Sequence, residues 1–388
     1  MIGMEGRVWA EIALDRLIMN YRLVKRQAHR SKVMAAIKAD AYGHGAVEIA
    51  EMLSAEGVDF YGVASVEEGI ELRKAGITTD ILVLSPILYN QIDEIIEHNL
   101  MPTISELAFY RELNQRARTL GTVITAHVEI DTGMTRTGIP YREAPGAIIT
   151  LTASPHVKIA GLFTHFPLAD ADGNFTGRQI KYFNQLLSGL RKNGSRIKYV
   201  HMANSSGMFN FPSALFNLVR PGIALYGLRS SPNVYYGDDF KPVMTLKSKI
   251  VSIREVPPNT PISYGHTFRT ARRSRIATVS VGYGDGYPRM LSNIGEVLCH
   301  GRRAKIVGTV CMDLLMIDVT DIPDSVIGDV VTLIGRDGRE EITAEECATK
   351  CKTIVYEITS GIGPRVARVF KNKNKIVRVR NLLGRWNN

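Results

Sequence analysis

The chain has 388 residues, 45% of them hydrophobic and 22% charged, which suits a soluble globular protein with one large and one smaller domain. Of its net charge of +10, the last 18 residues carry +6, so we predict a solvated basic tail on a near-neutral body and exclude a nucleic-acid partner. No apolar stretch approaches the roughly 18 residues that cross a bilayer, and charged residues interrupt the N-terminus. We therefore predict a cytoplasmic protein with no membrane partner.

Short apolar runs alternate with helical patterns over the first 230 residues, after a predicted helix from about Leu14 to Arg30. The eight predicted strands are residues 32–37, 60–65, 80–85, 101–105, 125–130, 158–165, 197–202 and 221–227. Eight such alternations favour an α/β fold of the (β/α)8 TIM-barrel type over a doubly wound sheet.

A turn-rich passage follows residue 230, and beyond it closely spaced strand-like runs predict a predominantly antiparallel β domain. One short helix is predicted near residues 344–351. We place the barrel at residues 1–235 and the β domain at residues 236–388. Four cysteines lie in the last quarter of the chain at spacings that match no common zinc pattern, so we predict no metal site.

Polar residues at the C-terminal ends of barrel strands face one shared opening, where active sites form in this fold. The residues at such positions are Lys38, Tyr42, Arg136, His165, His201, Asn204, Ser205 and Arg220. A partly desolvated lysine among other cations should have a lowered pKa and act as an amine nucleophile. Its natural use is a Schiff base with an aldehyde, commonly pyridoxal phosphate. Ser205 and the backbone of Gly222 and Ile223 could bind the phosphate.

Nine motifs follow one another along the whole chain: VMAAIKADAYGHG, DTGMTRTG, GLFTHF, HMANSS, NLVRPGIALYGL, ISYGHTF, SVGYGDGYPR, GTVCMD and VYEITSGIGPR. In sequence and in order they resemble the motifs of bacterial alanine racemases. The resemblance implies an isomerase that carries pyridoxal 5'-phosphate as an aldimine and interconverts L-alanine and D-alanine. It also implies a supply of D-alanine for peptidoglycan and a head-to-tail homodimer with composite active sites.

The resemblance assigns the cofactor-binding residues. They are Lys38, Tyr42, His165, Asn204, Ser205, Arg220, Gly222, Ile223 and Tyr356. His165 would lie beneath the pyridine ring. His201 would orient the neighbouring cofactor-binding residues without contacting the cofactor itself. Arg220 would face the pyridine nitrogen. Because arginine cannot accept a proton there, the ring would stay neutral and the electron sink would be weak, which suits a racemase.

Two catalytic bases on opposite faces of the substrate are implied. Lys38 would serve the D face, and Tyr264, contributed by the partner subunit, would serve the L face. A phenol ordinarily ionises near pH 10, so Tyr264 would need nearby positive charge from His165 and Arg220. The substrate-binding groups implied by the resemblance are the Arg136 side chain and the Met312 backbone N–H, with Tyr283 in the corridor through which substrate enters.

Glu129 departs from the family pattern. Many members have at this position, two residues before the Asp-Thr-Gly motif, a carbamylated lysine that holds the carboxylate-binding arginine. A carbamate resembles a carboxylate on a longer stem, so Glu129 could pair with Arg136 directly or through water. The alternative is that Glu129 faces solvent at the end of its strand.

Three other functions are weighed against this one. A racemase of broader specificity, acting on serine or other amino acids, differs from an alanine racemase by only about 1–3 kcal/mol of discrimination per methyl or hydroxyl. Decarboxylases of basic amino acids share the architecture, but an acid rather than Arg220 is expected at their pyridine nitrogen. A single-barrel cofactor carrier would not need the second domain that holds Tyr264.

Overall fold

The computed structural model describes residues 6–192 and 197–387, so the outermost residues of both predicted domains and residues 193–196 lie outside the described part. The chain opens with strand β1 (Val8–Ala13) and helix α1 (Leu14–Gln27). Helix α1 corresponds to the helix predicted from about Leu14, and it buries Leu17, Tyr21 and Val24 at helical spacing.

Within the described residues, eight parallel strands form the barrel, which confirms the predicted fold class. The strands are β2 (Lys32–Ala36), β3 (Phe60–Val63), β4 (Asp80–Val83), β5 (Thr103–Ile104), β6 (Ile124–Asp131), β8 (Val157–Phe163), β9 (Tyr199–His201) and β10 (Leu218–Val219), with a short β7 (Ile139–Pro140) beside β6. They form two parallel sheets, joined by single bridges between Leu82 and Met101 and between Asn204 and Arg220. Their near-continuous apolar character follows from burial on both faces.

Helical segments connect the barrel strands. They are α2 (Lys38–Gly43), α3 (Ala46–Ala55), α4 (Val66–Lys74), α5 (Ile92–Glu97), α6 (Leu107–Thr119), α7 (Ala144–Leu151), α8 (Gly173–Lys192) and α9 (Ser205–Asn210). Across the described residues, no helix has both the length and the apolar character that a membrane span requires.

The predicted eighth strand, residues 221–227, is wrong. The strand that completes the barrel is β10, which pairs with β2 and lies just before this run. Residues Ile223–Tyr226 instead form a 3-10 helix with all four side chains buried. A buried 3-10 helix and a buried strand share the same apolar composition, so periodicity could not separate them.

The second domain is built mainly from antiparallel strands. Its elements are β11 (Met244–Val256), β12 (Pro261–Ile262), β13 (Phe268–Arg269), β14 (Ser274–Val279), β15 (Glu296–Cys299), β16 (Arg302–Lys305), β17 (Leu315–Asp318), β18 (Val330–Asp337), β19 (Glu340–Ile342), α10 (Ala344–Cys351), α11 (Val355–Ser360), β20 (Ala367–Asn372), β21 (Lys375–Asn381) and β22 (Gly384–Asn387). Helix α10 lies where the short helix is predicted. Strand β1 pairs with β11 and β20, so the N-terminus contributes an unpredicted strand to this sheet.

The solvated basic tail predicted from the C-terminal charge is wrong. Strands β20, β21 and β22 form consecutive antiparallel pairs. Val379 is 1% exposed and packs with Trp9 and Val369, whereas Arg378 on the alternate face pairs with Glu51 at 2.6 Å. Strand alternation therefore places one face of β21 in an apolar cluster and its arginines against acidic residues of the barrel domain.

Candidate active site

A cavity of about 590 Å³ lies at the C-terminal ends of the barrel strands. It is lined by eleven of the residues predicted from sequence: Lys38, Tyr42, Glu129, Arg136, His165, Asn204, Ser205, Arg220, Gly222, Ile223 and Tyr356. Several polar groups thus converge on one concave space, as is typical of small-molecule sites. Sequence reasoning did not predict Leu84, Ser85, Pro86 and Ile354, which also line it.

Lys38 stands at the start of an unusual turn. The four residues Ala39–Tyr42 have φ values of 51–54°, in the left-handed region. Each non-glycine residue in that conformation costs roughly 1–2 kcal/mol, so the turn must be held by its surroundings. Gly43 follows at a φ of 83°, and a Cβ there would lie 2.1 Å from the carbonyl oxygen of Thr359. The turn is therefore packed directly against helix α11.

The environment of Lys38 favours its neutral amine. Burial lowers the pKa of Lys38, and the charge of Arg136 lowers it further, while the Glu68 carboxylate acts in the opposite direction. Glu68 also accepts a hydrogen bond from the backbone N–H of Ala39 at 2.6 Å. A lysine with a depressed pKa in a cavity is suited to attack a carbonyl carbon.

One end of the cavity has groups suited to a phosphate. The Ser205 hydroxyl accepts hydrogen bonds from the N–H groups of Gly222 at 3.0 Å and Ala224 at 3.3 Å. A Cβ at Gly222 would lie 2.5 Å from the Tyr42 hydroxyl oxygen, so only glycine leaves room for that hydroxyl. Burial raises the pKa of Tyr42 and of the neighbouring Tyr356, which keeps both hydroxyls protonated as donors. The hydroxyls of Tyr42, Ser205 and Tyr356 all line the cavity, and hydroxyl donors grouped in this way fit a phosphate.

Arg220, which lines the cavity, connects two imidazoles. Its Nη1 donates to Nδ1 of His201 at 2.7 Å, and its Nη2 donates to Nδ1 of His165 at 3.1 Å. Because arginine has only donors, both Nδ1 atoms must accept, and both rings are neutral with hydrogen on Nε2. Burial, with the charge of Arg220, lowers the pKa of both histidines. Burial also lowers the pKa of Arg220, to about 10.

His127 extends this chain, and sequence reasoning missed it. It is fully buried, and its Nδ1 lies 2.9 Å from Nε2 of His201, which must be the donor. Burial, followed by the charge of Arg220, lowers the pKa of His127 to about 3. His127 could have been predicted, because strand alternation places it on the same face of a predicted strand as Glu129.

The loop that carries Arg136 is shaped by Asp131. The Oδ1 atom of Asp131 accepts hydrogen bonds from the N–H groups of Gly133 and Thr135 at 2.8 and 3.0 Å. Such side-chain bonds to the backbone two and four residues on fold the chain into a tight turn. Arg136 is thereby brought to the rim of the cavity, where it is exposed.

Glu129 is buried, with 4% of its surface exposed, so the alternative that it faces solvent is wrong. Its Oε2 accepts a hydrogen bond from the Thr137 hydroxyl at 2.6 Å. Burial raises the pKa of Glu129, although Thr137 and the charges of Arg136 and Arg220 act against this. The predicted direct or water-mediated pair with Arg136 stays a prediction.

Besides His201, which is buried and contacts Arg220 without lining the cavity, three predicted residues do not reach this cavity within one chain. Tyr264, Tyr283 and Met312 belong to the second domain and are 74%, 42% and 53% exposed. Tyr264 begins a 3-10 helix and lines a different cavity, together with Cys311. Within one chain, Lys38 and Tyr264 therefore line different cavities.

Two family models match most of the chain. The family model described as "Alanine racemase, N-terminal domain" matches residues 12–230, and the one described as "Alanine racemase, C-terminal domain" matches residues 243–370. The alanine racemase of Halothermothrix orenii is 46% identical over 94% of this chain and 97% of its own length.

Solved structures of alanine racemases also resemble this chain over nearly all of its length. The alanine racemase of Clostridium difficile 630 has a TM-score of 0.92 at 37% identity, over 97% of this chain and 98% of its own. That of Bartonella henselae, solved with covalently bound pyridoxal phosphate, has a TM-score of 0.85 at 29% identity, over 94% of this chain and all of its own. These matches cover both domains and nearly all of the chain. The chain therefore belongs to the alanine racemase family, whose members depend on pyridoxal phosphate.

Proposed function

We propose that this chain is a pyridoxal-phosphate-dependent alanine racemase that interconverts L-alanine and D-alanine. The observation that carries the proposal is Lys38, a lysine with a depressed pKa, in one cavity with the donors that fit a phosphate. Lys38 would bond the cofactor, and Tyr42, Ser205 and Tyr356 would hold its phosphate with the backbone of Gly222 and Ile223. His165, Asn204 and Arg220 complete the cofactor-binding residues.

Different residues of this chain would have different roles in racemisation. Bound pyridoxal phosphate would supply an electron sink for the electron pair left when a proton leaves the α-carbon. The Lys38 amine would hold or deliver the proton on the D face, and the Tyr264 hydroxyl would do so on the L face. The Arg136 guanidinium would bind the substrate carboxylate, and the Met312 backbone N–H would bind it from the second domain.

A head-to-tail homodimer would bring the two bases together. Support comes from the exposure of Tyr264 and of apolar neighbours on the same domain, among them Val251, Met312 and Leu314. In this arrangement Tyr264 and Met312 of one copy would cover the barrel opening of the other, with Tyr283 in the corridor for substrate. We further propose that the reaction takes place in the cytoplasm and that its D-alanine serves peptidoglycan synthesis.

The function is tested with purified protein and pyridoxal phosphate. We expect the visible absorption of an enzyme-bound cofactor and, after borohydride reduction, a pyridoxyl group on the peptide that contains Lys38. We also expect racemisation of alanine in both directions, faster than that of serine. Release of CO2 from lysine or ornithine instead, or the lack of any trapped adduct, would contradict the proposal.

Glu129→Gln is expected to weaken substrate binding. The change keeps the size of the side chain but removes the negative charge near Arg136, so the orientation of that guanidinium should be less fixed. We expect KM for alanine to rise about 5-fold, with a smaller change in kcat. The control is Thr137→Val, which removes the hydrogen bond to Glu129 but keeps its carboxylate. An unchanged KM in Glu129→Gln would rule out the pair with Arg136.

A further inference from the structure

The C-terminal strand β21 contacts the turn that carries Lys38 and Tyr42. Arg380 on this strand makes a two-pronged ion pair with Asp40: Nη1 to Oδ1 is 3.0 Å, and Nη2 to Oδ2 is 2.5 Å. A planar ion pair with two parallel hydrogen bonds fixes the orientation of the carboxylate as well as its distance from the guanidinium. Asp40 lies midway between Lys38 and Tyr42 in the left-handed turn.

We propose that Arg380 is a positioning residue, which holds Asp40 and through it keeps Lys38 and Tyr42 in place for the cofactor. The inference rests on the proposed function, since it assumes that these two residues bind pyridoxal phosphate. It assigns a role to a segment whose charge alone suggested a solvated tail.

The carboxylate of Asp40 links three parts of the chain. Besides the bonds from Arg380, its Oδ1 accepts the N–H of Ala46 at 2.8 Å, which fixes the first residue of α3. Burial would raise the pKa of Asp40, but the hydrogen bond and charge of Arg380 outweigh it and the pKa is lowered. Asp40 is therefore held as a carboxylate, and its position depends on the arginine.

A second arginine supports the end of the same turn. Arg368 on β20 is directly opposite Arg380 in the strand register, and its Nε donates to the carbonyl oxygen of Gly43 at 3.1 Å. Its other nitrogens donate to the carbonyl oxygens of Ile362, Gly363 and Val366. Two neighbouring arginines of the second domain thus hold a turn whose backbone would not keep a left-handed conformation unaided.

The segment that provides Arg380 lies beyond the matched family models, the second of which ends at residue 370. Arg385 on β22 adds to the contact, since it pairs with Glu48 at 3.1 Å and with Glu71 at 3.2 Å. Strands β21 and β22 are therefore attached to the barrel domain at the turn and at the two helices that follow it.

Arg380→Gln is the variant that tests the inference, with Arg378→Gln as its matched control. Arg378 is on the same strand and pairs with Glu51 of α3 at 2.6 Å, away from the left-handed turn. We expect apoenzyme of Arg380→Gln to bind pyridoxal phosphate about 10-fold more weakly than the control, measured by absorbance titration. In the holoenzyme, kcat should fall by a similar factor, with less change in KM for alanine.

Further variants separate positioning from simple stabilisation. Arg380→Lys, which keeps the charge but not the planar fork, should recover part of the cofactor affinity. Asp40→Asn combined with Arg380→Gln should cost less than the sum of the two single changes, because both break the same contact. If Arg380→Gln does not fold, Asp40→Asn compared with Glu51→Gln decides the question in the same way.

Equal cofactor affinity and equal kcat in Arg380→Gln and Arg378→Gln would overturn the inference, because the arginine would then only stabilise the fold. Failure of the unsubstituted protein to bind pyridoxal phosphate or to racemise alanine would instead refute the proposed function. The two failures are therefore distinguishable.

Discussion

Lys38→Ala is expected to lower kcat for alanine racemisation by at least about 1,000-fold, since it removes both the amine that would bond the cofactor and one of the two bases. The borohydride-stable pyridoxyl group should also disappear from the peptide that contains residue 38. Both results follow from the position of Lys38 in the cavity and from the burial that lowers its pKa.

Lys32→Ala is the matched control. Lys32 begins the same strand at its opposite end and pairs there with Asp59 at 2.6 Å, on the surface of the protein. We expect normal racemisation and normal trapping in this variant. Substantial activity in Lys38→Ala, or an adduct on another lysine of the unsubstituted protein, would exclude Lys38 as the cofactor-bonding residue.

Tyr264→Phe is expected to have the second large effect, again at least about 1,000-fold in kcat in both directions, because it removes the proton carrier of one face. Exchange of the α-hydrogen with solvent should be lost for only one of the two enantiomers of alanine. In D2O, D-alanine should still exchange its α-hydrogen through Lys38, whereas L-alanine should not. Proton NMR of the alanine α-hydrogen measures both rates.

The control for this variant is Tyr235→Phe. Tyr235 is also an exposed tyrosine, at 59%, in the segment of the chain that connects the last barrel strand to β11. It lines neither the cavity that contains Lys38 nor the cavity that contains Tyr264. Its substitution should leave racemisation unchanged. Equal loss of exchange from both alanine enantiomers in Tyr264→Phe would contradict the assignment of one base to each face.

Most of the barrel could be predicted from the sequence, because buried parallel strands are continuous apolar runs and the helices between them are amphipathic. The prediction failed at residues 221–227, where a buried 3-10 helix has the composition of a strand. It also missed β1, because six residues before a helix show no sign that their partners, β11 and β20, lie more than 200 residues away.

The candidate site was predictable where residues stand at strand ends, and less so where they are held by distant contacts. Lys38 and Arg220 follow barrel strands, so chain order alone brings them to one opening. His127 could have been found from strand alternation. The pair between Asp40 and Arg380 spans 340 residues, and no local pattern identifies which carboxylate an arginine of the tail will meet.

We propose that Lys38 of one chain and Tyr264 of another form one active site. A heterodimer of two inactive variants distinguishes this arrangement from a site within one chain. Lys38→Ala and Tyr264→Phe chains with different affinity tags are co-expressed, and the heterodimer is purified through both tags. One of its two sites would lack both bases, and the other would have both. We expect about half of the specific activity of the unsubstituted dimer. A heterodimer as inactive as both parent homodimers would contradict an active site shared between two chains.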